Sequence, residues 1–182
     1  MSARETRRLF RFWRNEEGSS TIQFVIMVPL LFGIFMTGIE LGIYSMRQMW
    51  LDRGLDIAVR EVRLNTANIP SHQAFKQTIC QNAPFLPNCT SNLKLEMIRV
   101  DPRNFSSLSA DADCIDNSLP VASNEKLRNY QSGQEHDLMM VRACIKFNPV
   151  FPSTGLGFKL DKDKSGQASM LAFSAFVQEP GN

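Results

Sequence analysis

The 182-residue sequence lacks the usual signatures of chemistry. No nucleophile elbow, phosphate-binding glycine loop or dinucleotide fingerprint occurs in it, so nothing supplies a catalytic pair or a nucleotide cradle. Histidine is scarce: His72 and His136 are the only two, and neither stands at ligand spacing from a cysteine. With no Cys-x-x-Cys either, a zinc centre is not expected. Glu135-His136-Asp137 are three adjacent polar residues that cannot all face one site, which reads as a solvated turn. Asp161-Lys162-Asp163-Lys164-Ser165-Gly166 opens like a calcium loop, but the twelfth position holds Ala172 where a bidentate glutamate is needed. A charged hairpin turn is the expectation there. The sequence therefore predicts a non-enzymatic protein with no cofactor, no metal and no small-molecule substrate.

A surplus of either charge is also missing over most of the chain. Five of the 20 basic and three of the 18 acidic residues lie in the first eighteen, so 15 of each remain beyond them. A balanced surface of that kind offers no footprint for a polyanion, and nucleic acid is not an expected partner.

The most consequential absence is local. Residues 22–39 contain no charged side chain at all. As a helix they span ~27 Å at about 1.5 Å per residue, close to the hydrocarbon thickness of a bilayer. A helix is the form that places so much backbone in lipid, because each amide finds its partner within its own segment. Pro29 is tolerable in it, since Thr21 or a neighbouring helix can satisfy the freed carbonyl. Arg4, Arg7, Arg8, Arg11 and Arg14 precede the run and predict a cytoplasmic N-terminal flank, with the long C-terminal part translocated. A secretory signal would end in a small-residue cleavage site, and Tyr44-Ser45-Met46-Arg47-Gln48 offers none.

Residues 47–69 continue as an amphipathic helix, with Leu51, Leu55, Ala58, Val59 and Val62 on one stripe. Trp50 and Tyr44 suit the outer membrane–water interface. The helix is expected to fade over residues 65–68 and to stop before Pro70. Ser71 is a suitable N-cap for a short helix over 72–82. Residues 93–100 alternate as a half-buried strand closed by an Asp101-Pro102 turn. Residues 103–134 read as an excursion loop, 138–147 as a second strand and 148–164 as a Pro- and Gly-punctuated loop. A third strand is expected over 167–177. Segregated helical and strand patterns predict an α+β fold, a long N-terminal membrane-anchored helix running into a small domain with an antiparallel sheet.

All four cysteines, Cys80, Cys89, Cys114 and Cys144, follow the anchor. An even count in a small extracytoplasmic domain predicts two disulfides. Three pairings are possible, of which Cys80–Cys89 and Cys114–Cys144 are favoured, the first clipping the loop 84–87 and the second tying the excursion to the second strand. Within the anchor, Glu40 is a carboxylate near the end of an apolar helix, flanked by Gly38 and Gly42 at the spacing that lets another helix approach closely. The three together predict a helix–helix contact surface.

The stretch Arg11-Phe12-Trp13-Arg14-Asn15-Glu16-Glu17-Gly18-Ser19-Ser20-Thr21-Ile22-Gln23-Phe24, with Val28-Pro29-Leu30-Leu31-Phe32-Gly33 and Gly38-Ile39-Glu40-Leu41-Gly42 after it, resembles the TadE-like proteins. These are pseudopilins, or minor pilins, of the tight-adherence (Flp-type) pilus machinery. The resemblance covers residues 10–45. It implies a single-pass inner-membrane protein with a periplasmic, pilin-like domain, cut by a prepilin peptidase between Gly18 and Ser19. The implied partners of its contact surface are other pilus subunits and the assembly platform. One position departs from the pattern: pilin-like sequences carry a glutamate five residues after the cleavage glycine, and Gln23 stands there. Gln23 can hydrogen-bond but cannot neutralise a neighbouring subunit's terminal amine, whose burial in lipid costs several kcal/mol. The expected organisation is a basic leader over 1–18, a transmembrane helix over 19–46, the amphipathic extension over 47–69 and a periplasmic domain over 70–182. A permanently anchored periplasmic binding or adhesion module without a pilus role is the alternative.

Overall fold

The computed structural model describes residues 19–64, 70–103, 112–117 and 130–180. The basic arm with Gly18, the expected helix end over 65–69 and much of the 103–134 excursion lie outside the described residues.

A single helix, α1, runs without a break from Ser19 to Leu64, with Pro29 inside it. It is long and apolar enough to cross a membrane, and the most apolar window along it is not buried against the rest of the chain. Its C-terminal half is different. Leu51, Leu55, Ala58, Val59 and Val62 are all buried, the stripe expected from their three- and four-residue spacing.

What they pack on is a three-stranded antiparallel sheet in the order β1 (Leu93–Arg99), β2 (Leu138–Phe147) and β3 (Ala168–Val177). The inner face of β2 carries Met139, Val141, Ala143, Ile145 and Phe147, all buried, and β3 adds Met170, Ala172 and Phe176. Helix α2 (His72–Gln81) closes the remaining side with Phe75 and Ile79. Ser71 caps α2 by accepting a hydrogen bond from the amide of Ala74. Gly54 of α1 lets the two helices meet: a Cβ there would stand 2.7 Å from the carbonyl oxygen of Ile79 and 3.2 Å from Cβ of Ala83. Side chains also tie helix to sheet, Gln48 Nε2 donating to the carbonyl of Leu171 at 3.0 Å and Gln178 Nε2 to that of Val62 at 3.0 Å.

Two disulfides join Cys80 to Cys89 and Cys114 to Cys144. The first closes the loop that leads from α2 into the short helix α3 (Cys89–Asn92) and β1. The second lays residues 112–117 across the outer face of the sheet, and this changes the character of β1. Alternation predicts a half-buried strand, yet Lys94 and Glu96 are buried too. Lys94 Nζ lies 2.9 Å from Asp113, each side chain only 8% exposed, and Arg142 lies 2.7 Å from Glu96, which also accepts the amide of Asp113 at 3.2 Å. The polar face of the strand is covered because a crosslinked segment brings its own charge to it.

Candidate functional site

The domain-facing stripe of α1 does not begin where the amphipathic pattern does. It continues towards the N-terminus through Arg47, Tyr44, Glu40 and Thr37, each three or four residues from the next and so on one side of the helix. Tyr44 packs against Phe147 with ring centroids 5.9 Å apart, and the Arg47 guanidinium sits 5.2 Å from the centre of the same ring. Arg47 also donates to the carbonyl of Asn148 at 3.2 Å.

At the centre of this lower stripe is Glu40, 1% exposed. Its Oε1 accepts the amide of Val150 at 3.1 Å and its Oε2 the amide of Phe151 at 2.8 Å. The local sequence explains why these two amides are available. Pro149 and Pro152 flank them and have no N–H, and the turn they impose leaves Val150 and Phe151 without a strand partner. A carboxylate taking two adjacent amides satisfies both of its oxygens and is one of the stronger charge-assisted arrangements in a low-dielectric setting.

The same loop carries a short helix, α4 (Gly155–Lys159), that the sequence reading leaves as loop. Two glycines fit it to its surroundings. Gly155 has a positive φ of 51°, and a Cβ there would overlap the hydroxyl of Thr37, itself bonded to the carbonyl of Gly33 at 2.8 Å. A Cβ on Gly157 would overlap the carbonyl oxygen of Phe151. Lys162 Nζ reaches back to the carbonyls of Pro152 at 2.6 Å and Gly157 at 2.7 Å.

Of the three residues expected to form one contact surface, Glu40 is separated from the other two. Gly38 and Gly42 are one turn apart on a face where a Cβ would meet nothing within 4 Å, whereas Glu40, two residues from each, points the opposite way into its own domain. Ser19 begins α1, and Gln23 lies on its exposed first turns.

The remaining polar clusters serve turns. Asp163 accepts the amide of Ser165 at 2.9 Å, its hydroxyl at 2.6 Å and the amide of Gln167 at 3.0 Å, and pairs with Lys146 at 3.0 Å. Burial pushes its carboxyl up, but the Ser165, Lys146 and Gln167 hydrogen bonds and the lysine charge outweigh it and pull the pKa down to about 2. His136 occupies a positive-φ turn position beside Asp137, which pairs with Arg99 at 3.4 Å. Among the described residues no group of His, Cys, Asp and Glu could hold a metal ion.

The described residues therefore build one long apolar-ended helix on which a small disulfide-stapled α+β domain is clamped by a buried carboxylate. The family model described as TadE-like protein matches residues 18–60, so the resemblance to TadE-like proteins of the tight-adherence pilus system holds over that span. It runs from the glycine before α1 through the apolar half, Glu40 and most of the domain-facing stripe. No curated protein and no solved structure matches the chain.

Proposed function

We propose that the chain is a TadE-like pseudopilin, a minor pilin that acts without catalysis in assembling or priming a tight-adherence (Flp-type) pilus. The observation that carries this reading is the TadE-like match over residues 18–60, which falls on the long apolar helix and starts at the glycine before it. In this reading α1 crosses the inner membrane once, with the basic arm cytoplasmic and the sheet domain periplasmic. Two disulfides suit that oxidising side of the membrane. Prepilin peptidase cuts between Gly18 and Ser19, so that α1 becomes the mature N-terminus.

The two glycines and the carboxylate divide the labour. Glu40 fixes the domain on its helix, while Gly38 and Gly42, open to close approach, face the helix of a neighbouring pilus subunit or the assembly platform. Gln23 leaves a neighbour's terminal amine without a counter-charge, which favours a subunit used sparingly over one that polymerises alone.

Intact mass and N-terminal sequencing of protein purified from membranes test the reading. The expected mature start is Ser19, and it should disappear when the prepilin peptidase is deleted. An intact arginine-rich arm in pilus-producing cells would overturn the processed-subunit reading and leave a fixed membrane assembly factor or the permanently anchored binding or adhesion module.

A further inference from the structure

The loop between β2 and β3 touches α1 at a depth where a water-exposed loop is out of place. Gly155 rests on Thr37, and Thr37 lies within the uncharged run of residues 22–39, ~3 Å by helical rise below its upper end. Irregular backbone is admitted at such a depth only where the protein itself satisfies the polar groups. This loop is equipped for that. Glu40 takes the amides of Val150 and Phe151, Lys162 caps the carbonyls of Pro152 and Gly157, and the two prolines present no N–H. Beside the exposed Ser153, Thr154 and Lys159 it turns two large apolar side chains outward, Phe158 at 63% exposed and Val150 at 43%. Lys159 follows Phe158 with its ammonium 5.9 Å from the ring. Below the loop an open apolar groove lined by Leu30, Gly33, Ile34, Thr37 and Gly155 runs down the helix.

We infer that residues 149–160 form a second membrane-contact element, seated in the phospholipid leaflet on the domain's side, with Phe158 and Val150 among the acyl chains. Lys159 extends from there to the headgroups, its stem in the apolar layer and its ammonium in water. The inference rests on the reading of α1 as a membrane anchor, because the anchor sets the height of the lipid. Its consequence is that the domain is held upright by two contacts with the bilayer in place of one, with Glu40 as the brace between them.

The test places the photocrosslinker p-benzoylphenylalanine at position 158, 35 or 173 of the full chain in phosphatidylethanolamine–phosphatidylglycerol vesicles. Phe35 is an exposed ring of the apolar half of α1, and Phe173 is an exposed ring on β3, 73% accessible and well above Glu40. Lipid adducts are expected at 35 and 158 in comparable yield and not at 173. Adducts at 35 alone would overturn the inference and leave the anchor standing. Protein adducts at 158 in place of lipid, or equal lipid yields at 158 and 173, would overturn it as well. No lipid adduct at 35 would remove the anchor reading and this inference with it.

Discussion

Glu40 and Phe151 meet across 111 residues of sequence, a carboxylate oxygen of the long helix accepting a loop amide at 2.8 Å, with Val150 bound alongside at 3.1 Å. Replacing Glu40 by Ala leaves two part-buried amides without an acceptor. Each orphaned buried donor costs about 1–3 kcal/mol, so E40A should unfold at clearly lower temperature than the parent in detergent or nanodiscs. Hydrogen exchange localises the effect: the amides of Val150 and Phe151 should exchange faster in the variant while those of β2 keep their protection. Unchanged protection at 150 and 151 would show that the carboxylate does not hold the loop.

The glycines of α1 should split into two classes. A Cβ at Gly54 meets the Ile79 carbonyl at 2.7 Å, so α2 must shift to admit it. Overpacking of this kind costs typically about 1–3 kcal/mol, and G54A should lower the urea midpoint accordingly. At Gly38 and Gly42 a Cβ would meet nothing within 4 Å, so G38A and G42A should leave the fold as stable or slightly more so, since alanine is the better helix former by about 1 kcal/mol. A loss of piliation or of subunit crosslinking in these two variants, with unfolding unchanged, would locate their role between molecules.

The two disulfides should contribute unequally. Their closed loops span 30 residues for Cys114–Cys144 and 9 for Cys80–Cys89. Chain-entropy reasoning gives roughly 3.6 and 2.6 kcal/mol respectively. The larger bridge also holds Asp113 over Lys94 and Glu96. Its loss lets that segment lift, which breaks the Lys94–Asp113 pair and the Asp113–Glu96 hydrogen bond and uncovers the outer face of β1. C114S/C144S should therefore fall in stability by more than C80S/C89S, by more than the loop lengths alone imply, as read from paired denaturation curves.

His72 supplies a pH dependence with a definite sign. Burial holds its pKa below the usual 6.5, helped by the nearby ammonium groups of Lys76 and Lys94 and opposed by a hydrogen bond with the backbone of Leu95. It sits edge-on to the ring of Tyr130, 5.1 Å between centroids, while the Tyr130 hydroxyl donates to the carbonyl of Pro70. The unfolded chain binds a proton on this histidine more readily than the folded one, so stability is full above about pH 6.5 and declines as pH falls below it. Asp163, pulled down to about 2, loses its contribution only at more acid pH, between its ordinary 3.8 and that value. Thermal melts between pH 7.5 and 5 should show a decline that disappears in H72F, while melts below pH 4 should show the same acid-range loss in both proteins.

How much of this is legible in the sequence depends on the range of the interaction concerned. The helix, its apolar half and the buried stripe from Leu51 to Val62 follow from periodicity, a local property, and so do the Ser71 cap and the three strands. The two bridges are the pairing that the loops they close favour. Lys94 and Glu96 go against the pattern, which puts them on the exposed side of β1, because alternation says which residues share a face and not what covers the face.

Glu40 stands out in the sequence as an unusual carboxylate in an apolar helix, but its partner does not. A signal is present: Glu40, Tyr44, Arg47 and Leu51 fall at three- and four-residue steps, extending the buried stripe below residue 47. Sequence by itself determined a long apolar helix with a TadE-like pattern, an α+β order and four cysteines beyond it, because composition and short-range spacing fix those. Tertiary structure alone decided that the loop after β2 folds down onto the helix at Thr37 and Glu40. That contact rests on two backbone amides and on glycines that matter by lacking a side chain, and neither has a signature in the sequence until the chain is folded.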